Sequence, residues 1–248
     1  MSKNVLIDLG NTACKVAFAK GRAIIETVRS EDGEDPFSFL KNLLGNNVSG
    51  QDLFDIIVLS SVKRHDPALV AWLESRCQKL IVVDGDIPTA LKIDYQTSDR
   101  LGADLLASGL GAVVHYPGED VLVICFGTAI TVTSIDKGGR FLGVNISPGL
   151  LIRLKALHQY TDGLPLILLA QEEVIPDMGI DTRGAITAGV VKGIVHEVEG
   201  YITKNQDKKI ILTGGDALFF AKQLKTPIFV DCNLIFMGLA EIAQSYAE

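Results

Sequence analysis

The chain has little of what many recognisable chemistries require. Its four cysteines, Cys14, Cys77, Cys125 and Cys232, lie far apart, and no pair has metal-ligand spacing. They predict neither a zinc site nor a disulfide framework, but reduced, buried thiols in a cytoplasmic protein. No signal-peptide pattern opens the sequence. The four histidines, His65, His115, His158 and His196, have no acid or nucleophile at a telling spacing. There is no Ser-His-Asp order and no G-x-S-x-G elbow, so nothing points to a serine hydrolase. Neither G-x-x-x-x-G-K-[ST] nor G-x-G-x-x-G occurs, so no P-loop or Rossmann fingerprint is available to hold a nucleotide. No uninterrupted apolar run approaches about 20 residues, the length of a membrane-spanning helix. Positive charge is in deficit: the formal net charge of -7 argues against a nucleic-acid or anionic-membrane partner.

What is present is a globular pattern with an internal echo. At 248 residues and 48% hydrophobic, the chain suffices for one large domain or two small ones. An apolar run ends in Asp8-Leu9-Gly10-Asn11-Thr12, and Ala13 to Phe18 resumes it. This reads as strand, glycine turn, strand. The pattern returns in Val121 to Phe126, Gly127-Thr128 and Ala129 to Ile135, and Lys20-Gly21 has its counterpart in Lys137-Gly138. The first copy has an acid at the strand end, Asp8, where the second has Cys125.

Between these landmarks each half follows the same order. After three short strands, Asp35-Pro36 and Asp66-Pro67 are N-cap-and-proline signals. They predict helices from Pro36 to Gly45 and from Ala68 to Cys77. Phe54 to Val62 and Leu80 to Val83 read as buried parallel strands. Leu91 to Asp99 looks extended, and a helix with its first turn near Ser98-Asp99 runs to His115. Its glycines, Gly102, Gly109 and Gly111, each cost about 1 kcal/mol relative to alanine, a cost that close packing or close ligand approach would explain. The domain boundary is expected at Pro117-Gly118, giving domains 1–117 and 118–248. The second half repeats three strands and then a helix from Ser147-Pro148-Gly149. Asp181-Thr182 caps a long helix to about Lys204, whose Gly189 and Gly193 sit on one face where close packing is expected. A strand ends in Thr213-Gly214-Gly215-Asp216, and a closing helix spans Leu234 to Tyr246.

Three features carry chemistry, each with a plainer alternative. Asp8 with Gly10, Asn11 and Thr12 suits a phosphate turn with a water-held Mg²⁺ at Asp8; an ordinary hairpin also fits. The echo at Gly127-Thr128 favours the first, since a phosphate held between two domains needs donors from both. Thr213-Gly214-Gly215-Asp216 suits close approach of an adenine or ribose, or merely a tight turn with an Asp N-cap. Asp104, in Leu101-Gly102-Ala103-Asp104, suits a carboxylate accepting a hydroxyl proton during phosphoryl transfer, or a solvent-facing acid.

The ordered set of Asp8-Leu9-Gly10-Asn11-Thr12, Tyr95, Leu101-Gly102-Ala103-Asp104, Phe126-Gly127-Thr128-Ala129-Ile130-Thr131, Ile146-Ser147-Pro148-Gly149, Asp181-Thr182 and Thr213-Gly214-Gly215-Asp216 resembles the type III pantothenate kinase family. The resemblance covers nearly the whole chain. It implies an α/β fold of the acetate and sugar kinase, Hsp70 and actin superfamily. Two ribonuclease-H-like domains with mixed five-stranded sheets, flanked by helices, would enclose a cleft. It implies ATP-dependent phosphorylation of pantothenate to 4′-phosphopantothenate, the first step towards coenzyme A, by a cytoplasmic homodimer using Mg²⁺ and K⁺ or NH₄⁺. By position, Asp8, Leu9, Gly10, Asn11, Thr12, Ala13, Cys14 and Lys15 would form the first phosphate turn, with Asp8 holding Mg²⁺ through water. Thr128 would form the second turn, and Gly214 and Gly215 would lie near adenosine. Asp104 would be the base. Tyr95, Gly102, Ala103, Asp104, Leu105 and Thr182 would line the pantothenate pocket.

The chain departs from the family's pattern at three positions. Cys125 replaces the Asp that holds the monovalent cation, and a thiol is a poor ligand for a hard cation. Leu105 replaces an Arg and cannot pair with pantothenate's carboxylate. Val144, after Gly143, replaces a glycine. Cys125 and Leu105 keep open a non-catalytic or regulatory relative, and Leu105 also a kinase for another small hydroxyl substrate.

Overall fold

The computed structural model describes residues 3–45, 53–62, 66–84, 87, 89–93, 101–170, 172–226 and 228–247. Tyr95, His65 and the expected helix start at Ser98-Asp99 lie outside them. The described residues form two compact units.

The first unit comprises Met1–Gly118, Lys137–Leu142 and Asn233–Glu248. Its five-stranded sheet begins with β1 (Asn4–Leu9), β2 (Cys14–Lys20) and β3 (Ala23–Arg29). β2 pairs antiparallel with both of the others. Helix α1 (Pro36–Gly45) follows, its first turn held by the Asp35 carboxylate, which accepts the Ser38 N–H at 2.8 Å. β4 (Phe54–Ser61) lies parallel to β1, then α2 (Pro67–Glu74) leads to β5 (Cys77–Val82). The strand order is β3-β2-β1-β4-β5. α2 is shorter than expected. The Ser75 N–H donates to the Ala71 carbonyl and the Arg76 N–H to that of Leu73, and Cys77 already pairs with Phe54 in the sheet.

The sheet's two faces do different work. Val5, Ile7 and Leu9 join Ile57 and Leu59 against Phe39, Leu40, Leu69 and Leu73 of the first two helices. The period of two turns Leu6 and Asp8 to the other face, beside Val58 and Ser60 of β4. Helices α3 (Ala103–His115) and α7 (Leu234–Ser245) pack together and against β4, and α7 also against β1. Their crossing is unusually tight. A Cβ on Gly111 would come 2.1 Å from the Leu234 carbonyl oxygen, and one on Gly238 1.9 Å from that of Ala107. Close helix packing therefore accounts for Gly111, one of the glycines that weaken α3.

The second unit comprises Glu119–Asp136 and Gly143–Cys232. β7 (Val121–Phe126) pairs antiparallel with β8 (Ala129–Ile135), and β9 (Arg140–Pro148) follows. Helices α4 (Leu150–Gln159) and α5 (Thr182–Lys204) precede β10 (Lys209–Thr213), α6 (Ala217–Ala221) and β11 (Phe229–Val230). The core of this sheet, β9-β8-β7-β10-β11, repeats the order of the first, as the duplicated sequence pattern predicts. It has six strands rather than five. The short β6 (Lys92–Ile93) adds to the opening residues of β9, Arg140 and Phe141, which group with the first unit. The core is built from Leu122, Ile124 and Phe126 against Ile186, Val190, Ile194 and Val198 of α5, with Phe126 stacked on Phe220 at 4.8 Å.

A single cut after residue 117 describes only the start of this division. Residues 137–142 and the closing helix group with the first unit, because the apolar face of α7 is buried against α3 and β1. The thiols also differ from expectation. Cys14 and Cys77 are buried, Cys125 is half-buried and Cys232 is exposed. No described helix is long and apolar enough to cross a membrane.

Candidate active site

In the first unit, the glycine turn, the end of β1 and the start of α3 converge. The turn spans Gly10 to Ala13, between the paired residues Leu9 and Cys14. The Gly10 N–H donates to the Ala13 carbonyl at 3.1 Å. Leu9 and Cys14 point into the core, so what they offer a ligand is backbone. Asn11 is exposed, and Thr12, Ala13 and Lys15 are half-buried.

Asp8 is 6% exposed and lies directly across the ladder from Lys15 and beside Ser60. Burial pushes its carboxyl up to about 6, the Lys15 charge opposes that rise, and the Asp104 carboxylate adds to it. The charge of Asp104 therefore reaches Asp8. Cys14, in the core at the end of the turn, is pushed up to about 12 by burial and by Asp8 and Glu34. It is a protonated, inert thiol at neutral pH.

Asp104 sits in the first turn of α3. Gly102 is the N-cap residue and offers no side chain, and the Asp104 Oδ1 accepts the Leu105 N–H at 2.9 Å. A Cβ on Gly102 would lie 2.6 Å from that same oxygen, so glycine leaves the carboxylate its place. Burial raises the Asp104 pKa, and the backbone hydrogen bond to Leu105 opposes the rise. A half-buried carboxylate raised above its ordinary range is a better proton acceptor than a free one, which suits a general base. Ala103 and Leu105 are buried, Leu105 at 8% exposure, so their side chains belong to the packing of α3.

Two serines were not singled out by sequence reasoning. Ser60, near the end of an apolar strand, is fully buried beside Asp8, and its hydroxyl has no hydrogen-bond partner among the described residues. Its signal was a polar residue interrupting a continuous apolar run. Ser30, just after β3, hydrogen-bonds to both the N–H and the carbonyl of Cys14; no local pattern announces it.

In the second unit the echoed turn is one residue shorter. Phe126 pairs with Ile130, and the Gly127 N–H donates to the Ala129 carbonyl at 3.2 Å. Two glycines clamp it. Gly149 donates to the Thr128 carbonyl at 3.0 Å, and a Cβ there would lie 2.2 Å from the Gly127 carbonyl oxygen. Gly214, at a φ of 100°, would place a Cβ 2.4 Å from the Phe126 carbonyl oxygen, so only glycine is tolerated. Gly214 thus serves packing, while Gly215 is exposed with open space before it. Thr182 is exposed at the start of α5, one residue after the Asp181 cap, whose carboxylate accepts the Gly184 N–H at 2.7 Å. Around Gly189 and Gly193 nothing lies within 4 Å of an added Cβ. The close packing expected there is absent, because that face of α5 points away from the core.

Metal chemistry divides between the two turns. Among the described residues no group of three or more His, Cys, Asp or Glu is placed to hold an ion. Mg²⁺ needs no such cage, since it keeps waters and takes phosphate oxygens. The buried Asp8 carboxylate and the unpartnered Ser60 hydroxyl are oxygen donors that fit it. Cys125, at the end of β7, offers sulfur and does not fit K⁺.

Two units on the same strand order, each with a glycine-hydroxyl turn between its first two strands, define the actin-like ATPase and sugar kinase fold. The activator of 2-hydroxyisocaproyl-CoA dehydratase from Clostridium difficile, solved with bound ADPNP, shares it. The TM-score is 0.60 at 15% identity, covering 99% of this chain and 95% of that one. Within that class the match is specific: a profile of type III pantothenate kinase matches residues 4–204. The type III pantothenate kinase of Bacteroides fragilis is 38% identical over 243 residues, 96% of each chain. That of Porphyromonas gingivalis is 37% identical over 252 residues, covering 98% of this chain and 99% of its own. The chain belongs to the type III pantothenate kinase family.

Proposed function

We propose that the protein transfers the γ-phosphoryl group of ATP to the primary hydroxyl of pantothenate, giving 4′-phosphopantothenate and ADP. Family membership supports this reading. The observation that carries it to this chain's own residues is the placing of Asp104 at the start of α3 near the Asp8 turn, a half-buried carboxylate whose charge reaches the buried Asp8. Asp104 accepts the hydroxyl proton as the oxygen attacks phosphorus and the bond to ADP breaks. The amides of the Gly10–Ala13 turn, with Asn11, Thr12 and Lys15, donate to phosphate oxygens, and Thr128 is a phosphate-binding residue by its place in the family's pattern. Gly215 allows the nucleoside to approach the backbone. Gly102 and Tyr95 contribute to pantothenate binding, and Thr182 is a substrate-binding residue by its place in the family's pattern. Asp8 holds Mg²⁺ through water; the ion supplies charge neutralisation on the phosphates.

Incubation of the purified protein with Mg²⁺, ATP and pantothenate is expected to release ADP and phosphorylated pantothenate in equal amounts. Because Cys125 is a poor K⁺ ligand, turnover is expected to respond weakly to K⁺ and NH₄⁺, and Cys125→Asp to create a marked response. No turnover at any concentration of either cation would overturn the reading in favour of a non-catalytic relative. Turnover only with substrates lacking a carboxylate would redirect it, as Leu105 allows.

The same reading includes a cytoplasmic homodimer. Tyr160 and Met178 are 80% and 83% exposed. They accompany an open groove of about 750 Å³ lined by Arg153, Leu157, Leu164, Ile186 and Val190 and the uncovered Gly189 and Gly193 face. Apolar surface of that kind supports a second copy as its cover. Light scattering is expected to give about twice the 26.7 kDa of one chain; a monomer at micromolar concentration would contradict it.

A further inference from the structure

We propose that Ser30 is a positioning residue for the phosphate turn, holding the Gly10–Ala13 backbone in the shape that binds the phosphates of ATP. The inference rests on the reading of that turn as a phosphate site.

Within the turn the Gly10 N–H donates to the Ala13 carbonyl, a short-range bond. The segment after β3 adds to the hold. The Ser30 N–H donates to the Cys14 carbonyl at 2.9 Å, and the Ser30 hydroxyl accepts the Cys14 N–H at 3.0 Å. The same hydroxyl donates to the Glu31 carbonyl at 3.1 Å. Three residues on, Gly33, at a φ of 80°, donates its N–H to the Thr12 carbonyl at 3.2 Å. The brace is itself closed, because Arg29 pairs with Asp32 and donates to the Ser30 carbonyl at 3.2 Å. Residues 30–33 therefore grip the turn at Thr12 and at both polar groups of Cys14.

Ser30 is 2% exposed and Cys14 1%, so no bulk water replaces the hydroxyl. Without it the buried Cys14 N–H loses its acceptor, and the chain must shift to satisfy it. That shift falls on the turn that begins at Gly10. Backbone donors bind an anion well only when already aimed at it. The second unit's turn is held differently, by the close backbone approach of Gly149.

Steady-state kinetics with ATP and pantothenate varied separately, together with titration of the full chain with a non-hydrolysable ATP analogue, test this. Ser30→Ala is expected to raise KM for ATP and weaken the analogue about five- to tenfold, the scale of one lost hydrogen bond. The KM for pantothenate should stay within about twofold of wild type. Ser30→Thr, which keeps the hydroxyl, is expected to restore ATP binding. Gly33→Ala, which strains the other end of the brace, should reproduce the ATP-specific defect and carries the test if the Ser30→Ala chain does not fold. Wild-type ATP affinity in folded Ser30→Ala, or equal losses for both substrates, would overturn the positioning role alone. A wild-type chain that neither binds the analogue nor turns over would overturn the phosphate-site reading, and this inference with it.

Discussion

Asp104→Asn is expected to lower turnover by a factor on the order of 10²–10⁴, the usual worth of a general base, while the chain stays folded. The substitution is nearly isosteric. Its side-chain oxygen can still accept the Leu105 N–H that Asp104 accepts at 2.9 Å, so the first turn of α3 keeps its hydrogen bond. What is lost is the ability to take a proton. Burial raises the carboxyl's pKa above its ordinary value, so replacing it with an amide removes a desolvated charge and should not reduce stability. The KM for pantothenate should change little, because the loss falls on the transition state. A continuous ADP-release assay alongside a urea melt separates the two effects. Turnover within tenfold of wild type would falsify the assignment of Asp104 as the base and leave the fold untouched.

Asp8→Asn is expected to act in opposite directions on stability and activity. In the folded chain the Asp8 carboxyl sits at about 6, against 3.8 for a free aspartate. Below pH 3.8 it is protonated folded and unfolded, and the shift has no effect. Between those values the folded chain binds the proton more tightly, so stability falls as pH rises. Above pH 6 the penalty is complete, about 3 kcal/mol at 1.36 kcal/mol per unit. Asparagine carries no charge to desolvate. The variant should therefore be the more stable chain at pH 8 in the absence of ligands, by up to about that amount, with the gap closing towards pH 4. Turnover should fall at least about a hundredfold, because the group proposed to meet the cation's charge is gone. Added Mg²⁺ and ATP should raise the wild-type unfolding midpoint more than the variant's. Denaturant curves at several pH values check the sign; a wild-type chain as stable as the variant at pH 8 would contradict it.

The two carboxylates were legible for different reasons. Asp8 ends an apolar run at a glycine turn, a local pattern that needs no knowledge of the rest of the chain. Asp104 was visible only as an acid in a small-residue helix, and the resemblance assigned its role. Its electrostatic link to Asp8 exists only because α3 packs on the sheet that ends in Asp8. Gly214 shows the opposite case. Its sequence setting suggested ligand approach, but its missing side chain makes room for the Phe126 carbonyl. Ser30 and Ser60 carried little signal, because a serine near a strand end is common and its partners are distant in sequence.

Local chemistry in the sequence determined the strands, the capped helices, the two glycine turns and their duplication, since these depend on residues within a few positions of one another. The family followed from the order of its motifs. Tertiary structure decided the rest. It placed α7 with the first unit through the Gly111 and Gly238 contacts, left the Gly189 face uncovered, and braced the phosphate turn from residues 30–33. Such contacts join residues far apart in the chain. They are set by which surfaces fit when the chain closes, and that geometry is not written in any short stretch of sequence.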